Sequence, residues 1–313
     1  MASVTAVRGS RRKRMSPAGS RLVPYVFVAP FVVLFIVFLI APIGVAIANS
    51  LFSQQAAGLG FGGVERVFVG LDNYVRALQD HEFVVGFGRV LLYGVVQIPV
   101  MMIVAAALAL LFDTGLVRGS RFFQFAVFLP YAVPGVIAAL LWGFLYQPSV
   151  SPLVGGLSAL GIDADFLAPG MVLWSIANVA TWSTVGINMI ILFAALQGVP
   201  REMYEAARID GAGELRIALS IKIPMIAPAV LLTTLSSIIG TLQLFNEPQV
   251  LKSITSNIPS DYTPNMAVYA ASTLDRNPNL ASAMAVVLGL ATLVVSVVVL
   301  RLTRRRNGVS DGV

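Results

Sequence analysis

The chain is 313 residues long, 57% apolar and 12% charged, with a mean hydropathy of +0.85, and so few charges cannot cover the surface of a water-soluble fold of this size. The apolar content excludes disorder, the lack of cysteine excludes a disulfide scaffold or thiolate metal site, and a single histidine, His81, leaves most histidine-based catalysis without its parts. The net charge of +6 comes from bases placed beside apolar segments, a pattern of membrane topology rather than of nucleic-acid binding.

A hydrocarbon core about 30 Å thick takes roughly 20 helical residues to cross. Six uncharged apolar stretches of that length follow one another, and in lipid such segments pair their backbone groups only as helices. The expected fold class is therefore all-α, a polytopic membrane protein with six transmembrane helices. The first covers residues 25–48 and carries Pro30 and Pro42. It follows a basic stretch and ends Ala46-Ile47-Ala48, like a signal peptide, but an h-region is only about 7 to 15 residues, so an uncleaved helix is expected. The second covers 94–112, and the third 122–146, with Tyr131 between Pro130 and Pro134. In the fourth, 171–196, Ser175, Asn178, Thr181, Thr184 and Asn188 recur at steps of three and four and so share one helical face. The fifth, 225–245, repeats the device with Thr233, Ser236, Gly240 and Gln243, and the sixth covers 281–300. Such stripes either pack helices closely or line a wetted cavity. The amides of Asn178, Asn188 and Gln243 favour the cavity, because they are costly to leave facing lipid. Such a lining suits a neutral, hydroxyl-rich ligand. No Asp, Glu, Lys or Arg lies within a span, Asp113 and Glu247 falling just beyond span ends, which argues against a proton-driven transporter.

Orientation follows from the bases. Sixteen of the 21 Lys and Arg fall in the N-terminal tail, the second-to-third loop, the fourth-to-fifth loop and the C-terminal tail, which places both termini and the fourth-to-fifth loop in the cytoplasm. The domain plan is a basic cytoplasmic tail at 1–22, a single six-helix transmembrane domain at 23–302, and a cytoplasmic tail at 303–313.

The loop at 198–224 carries the most information. Gly198 suits the end of the fourth helix and Pro200 the first turn of a new one. Residues 201–209 are good helix formers, with Glu205 and Arg208 set to pair at i, i+3; Gly211 and Gly213 then break the helix, and a second helical stretch leads to Pro224. The result is a helical hairpin outside the bilayer. Its small Ala206 and Ala207 permit close approach of a partner, and Glu205 and Asp210 offer acceptors to that partner's basic groups.

Here the chain closely resembles the permease subunits of bacterial ATP-binding-cassette importers of the maltose and oligosaccharide type. Their EAA loop reads E-A-A, a glycine, then I-x-L-P; this chain has Glu205-Ala206-Ala207, Asp210-Gly211-Ala212 and Ile221-Lys222-Ile223-Pro224, with isoleucine for the usual leucine. Gly70-Leu71-Asp72-Asn73-Tyr74, Leu129 to Pro134, and Trp182 agree with the same family, whereas the T-x-G-G-P stretch common after the fifth span is replaced by one beginning Phe245-Asn246-Glu247-Pro248. The resemblance implies the type I permease fold and a hairpin that acts as a coupling helix for ATPase subunits. The coupling residues would be Glu205, Ala206, Ala207, Asp210, Gly211, Ala212, Ile221 and Pro224. Matched by position, the substrate pathway would use Tyr131, Gly135, Ser183, Thr184, Ile187, Ser236, Gly240 and Gln243.

The implied partners are a second permease, two ATPase subunits that hold ATP and magnesium, an extracytoplasmic solute-binding protein, and a sugar. No cofactor, metal, catalytic residue or nucleic acid is expected for this chain itself, which also lacks a G-x-x-x-x-G-K-[ST] phosphate loop. Two rivals remain: the same architecture importing glycerol phosphate or another small polar solute, and a membrane-embedded enzyme using Asp163 and Asp165.

Overall fold

The computed structural model describes residues 17–56 and 64–306, with side chains at 24–55 and 65–301. The basic tail expected at 1–22 and the tail at 303–313 lie outside the described side chains. Residues up to Ala48 and those from Asn49 onward form two compact units.

In the first unit, helix α1 (Pro17–Phe35) runs into a π-helical stretch, Ile36–Ile40, and then into α2 (Ala41–Ser50). Pro42 explains the wide turn. It has no N–H for the carbonyl four residues back, and Ala41 donates instead to Ile36, five residues back. Every side chain from Pro24 to Val45 is exposed, as suits a helix bathed in lipid or covered by other chains.

The second unit opens with a two-stranded antiparallel ribbon, β1 (Phe52–Ala56) and β2 (Val64–Phe68), with Phe52 opposite Phe68. The fold is mostly helical, as expected, with one short ribbon added between the first span and the helix that follows. Its Ser-Gln-Gln strand lacks the β-branched alternation that marks a strand in sequence. The Gly70 to Tyr74 motif clamps this ribbon. Gly70 turns the chain at φ +59°, and Asn73 at the start of α3 (Asp72–Gln79) donates to the carbonyls of Ser50 and Phe52 at 2.8 and 2.7 Å.

Helix α4 (His81–Asp113) starts well before the expected residue 94, because Asp80 caps it by accepting from Phe83 N–H at 2.9 Å. The third span is not one rod. Helix α5 (Ser120–Phe128) and a 3₁₀ turn at Leu129–Ala132 meet α6 (Gly135–Tyr146) at 97°. Pro130 and Pro134 each remove a backbone donor, and Val133 is extended as a residue before proline must be. The chain continues through α7 (Pro152–Ala159), α8 (Val172–Gln197), α9 (Arg201–Ile209), α10 (Glu214–Ile217), a second π stretch at Ala218–Lys222, α11 (Ile223–Met225) and α12 (Ala227–Leu242). It ends with α13 (Asn246–Leu251), α14 (Pro264–Thr273) and α15 (Pro278–Arg306). Among the described residues, five helices are long and apolar enough to cross a membrane, or six when the bent pair counts as one span.

Helices α4 and α8 form the axis of the bundle. Met101, Ala105, Ala109 and Phe112 of α4 are buried against Met189, Leu192 and Leu196 of α8, with Tyr204, Ile217 and Ile226 closing the same cluster. Lipid tails are as apolar as these side chains, so the cluster is held by close packing rather than by escape from water. The tightest approach is at Gly186. A Cβ there would overlap the Val127 carbonyl and stand 2.7 Å from Phe128 Cα, so only glycine lets α8 reach α5.

Candidate functional site

The hairpin begins where α8 stops. Gly198 has ordinary right-handed torsions, and Pro200 sits one residue ahead of α9 in an extended conformation rather than in its first turn. At the other end of α9 the residues expected to shape the turn form a Schellman cap. Ala212 N–H donates to Ala207 at 2.9 Å, Gly211 N–H donates to Arg208 at 3.0 Å, and Gly211 is left-handed at φ +82°. Glu205, Ala206 and Asp210 are exposed, Ala207 and Ala212 are half-buried, and Ile209 and Leu215 are 87% and 74% exposed beside them. Pro224 is exposed and Ile221 packs on the bundle core, and before this proline the second π stretch repeats the device of Pro42, with Ile223 donating to Ala218.

The expected pairing of Arg208 with Glu205 is replaced. Arg208 Nε meets Glu214 Oε1 at 2.8 Å across the turn, because the Schellman cap folds α10 back onto the end of α9. The bond from Arg208 holds the Glu214 carboxyl below its usual range, and Glu214 raises Arg208 in turn. Glu205 is thus left facing outward.

An anchor beneath the hairpin escaped the sequence reading. Lys222 Nζ contacts Asp113 Oδ2 with only 6% and 10% of the two side chains exposed, Gln197 Nε2 donates to Asp113 Oδ1 at 2.9 Å, and Lys222 Nζ stands 4.8 Å from the Tyr204 ring centre. The last residue of α4, the last of α8, the buried face of α9 and the π stretch therefore meet at one charge pair. Burial pushes the Tyr204 phenol up, with Asp113 adding to the effect, so it stays neutral. Opposite charges at the ends of separate apolar segments were the only signal for this contact, and spacing does not reveal which of them pair.

A cavity of about 620 Å³ lies within the bundle. Of the residues assigned to the substrate pathway, Tyr131, Ser183, Thr184, Ile187, Ser236, Gly240 and Gln243 line it. Gly135 is the exception, standing beside it where a Cβ would lie 3.9 Å from Asn246 Nδ2 and Glu247 Oε1. Tyr93, Gln97 and Met101 of α4 and Asn246 and Glu247 of α13, not among the residues expected from the sequence, also line the cavity. Gln97, an amide in the middle of an apolar span, was the available clue; it donates to Thr181 Oγ1 at 3.3 Å.

The polar stripe of α8 divides. Asn178 faces a second cavity, of about 320 Å³, and donates to Tyr146 Oη at 2.8 Å, which donates to the Ser175 carbonyl at 3.1 Å. Asn178 therefore lines a cavity, as its amide suggested, but a smaller one apart from the residues assigned to the substrate pathway. The other end faces the larger cavity. Thr184 and Ser236 donate to the carbonyls of Ala180 and Leu232 at 2.7 and 3.0 Å. Their hydroxyls are thereby spent as donors and present lone pairs to the cavity, complementary to the O–H groups of a polyol. Ser183 Oγ is buried with no partner among the described residues, and Gly240 opens onto free space.

Residues 103–307 match the family described as binding-protein-dependent transport system inner membrane component. The sn-glycerol-3-phosphate transport system permease protein UgpA of Salmonella typhi is 31% identical over 285 residues, covering 90% of this chain and 94% of the relative. Its counterpart of the same name in Escherichia coli O157:H7 is 33% identical over 252 residues, covering 79% and 81%. The fold is also similar to a chain in the crystal structure of a bacterial ABC transporter involved in the import of the acidic polysaccharide alginate. That match has a TM-score of 0.78 at 20% identity and covers 93% of this chain and 99% of the other.

Proposed function

Because the chain belongs to the family of binding-protein-dependent transport system inner membrane components, we propose that its cavity is half of a translocation pathway for an uncharged sugar or oligosaccharide. It is a transport permease and not an enzyme. The observation that carries the cargo is the lining: hydroxyls, amides and a half-exposed tyrosine set among apolar side chains, with one carboxylate, Glu247, and, among the described residues, no lysine, arginine or histidine. In this reading Tyr131 stacks on a pyranose face and Gln243 reads hydroxyls.

The exposed face of the hairpin, with Glu205, Ala206, Ile209 and Asp210, docks on an ATPase subunit. Two such subunits hold ATP and magnesium, a second permease completes the pathway, an extracytoplasmic binding protein delivers the sugar, and both termini lie in the cytoplasm. The test is ATP hydrolysis by the reconstituted complex. It should depend on a sugar-loaded binding protein, and Glu205→Lys should abolish that dependence while insertion persists; normal uptake by this variant would overturn the coupling role.

Glycerol phosphate is a second reading, favoured by the names of the two relatives above. A phosphate ester calls for basic groups in its path, and among the described residues none lines this chain's cavity.

A further inference from the structure

One charged side chain does line the cavity, and nothing in the proposed sugar pathway so far uses it. Glu247 lies in the first turn of α13, half-buried, on the cavity wall. Its Oε1 stands 3.9 Å from the Cβ position of Gly135, the first residue of α6. Helix α6 is twelve residues long, begins at the 97° break in the third span, and has no side-chain cap, since its N-cap is Pro134. The N–H groups of its first turn therefore lack intrahelical partners, and their dipoles make that end electropositive. An uncapped half-helix end of this kind inside a membrane attracts the anionic group of a substrate. Here a carboxylate of the chain itself already stands there.

We infer that Glu247 sets the charge selectivity of the cavity, holding the positive end of α6 against anionic cargo and admitting hydroxyl-bearing solutes without negative charge. The inference rests on the pathway reading above and sharpens it. On this chain's share of the cavity wall an anion meets the Glu247 carboxylate and, among the described residues, no basic side chain, in surroundings where charges interact more strongly than in water. A neutral polyol meets instead an acceptor of hydroxyl protons. The rule makes this chain unlike an importer of phosphate esters or uronates.

The chain contains no cysteine, so Ser236→Cys would place a single thiol on the cavity wall of this subunit. In membranes holding the complete importer, the thiol would be modified with sulfonatoethyl methanethiosulfonate, an anion, and with trimethylammonioethyl methanethiosulfonate, a cation, and the rates compared by the mass shift of this chain. With Glu247 present the cation should be preferred. Glu247→Gln should shift the rate ratio toward the anion by about tenfold, as expected for loss of a nearby unit charge in a partly screened site. Asn246→Asp, which adds a carboxylate on the same wall, should shift it the other way. Modification at a ratio that neither variant moves would overturn the inference and leave the pathway assignment standing. A thiol that neither reagent reaches would overturn both.

Discussion

Asp113 accepts from two donors carried by different segments, Lys222 and Gln197, in a place that water barely reaches. A buried pair of this kind adds little net stability, yet losing one member leaves the other charged and unsatisfied, at about 3 to 5 kcal/mol. Asp113→Asn is therefore expected to lower the melting temperature of the purified complex sharply. Combining it with Lys222→Met should recover most of the loss, and a double variant no better than the single one would show that the two residues do not act as a pair. Gly186 is the other residue whose neighbours decide its identity. Gly186→Val forces two backbones apart, because a side chain there meets the Val127 carbonyl, and should cost about 1 to 3 kcal/mol, read as reduced thermal stability. Asp113 stood out in sequence only as a charge beyond a span end, and Gly186 did not stand out at all. Their importance lies in what approaches them from segments far along the chain.

The hairpin is the element whose shape was most legible. The glycine at 211 marks a left-handed position, and the torsion of +82° with its two reversed hydrogen bonds is what that glycine permits. Gly211→Val should cost about 1 to 2 kcal/mol locally and lower binding-protein-stimulated ATP hydrolysis, since the turn sets the angle at which α9 is presented. Across the same turn, the Glu214 carboxyl is held low by Arg208. A depressed carboxylate contributes above its unfolded value, near 4.3, and loses its effect only as pH falls through the lower folded value. Stimulated hydrolysis limited by this elbow should stay constant from pH 8 to 5, and a drop inside that window would assign control to another group. The bridge is exposed on both sides, so its own worth is small. The third span shows the opposite case. Its two prolines were visible, yet apolar composition alone reads as one rod, and only the lost backbone donors together with the neighbours of α6 produce the 97° bend.

For the whole molecule, the orientation drawn from the bases is open to a direct check. Because the chain has no cysteine, Ile209→Cys and Gln55→Cys, both at exposed positions, should react with an impermeant reagent from opposite faces of a sealed vesicle. Reaction of both from the same face would overturn the topology. The sequence by itself determined the membrane setting, the count and order of apolar segments, the family and the elbow, because these follow from local composition, periodicity and short motifs that solvent and backbone chemistry read without help. Only the tertiary structure decided that Gln97 and Glu247 join the larger cavity, that Asn178 faces a smaller and separate one, and that Lys222 seals against Asp113. Those outcomes depend on contacts between segments up to about a hundred residues apart, and a side chain's chemistry in a membrane is set by whichever neighbour the fold brings to it.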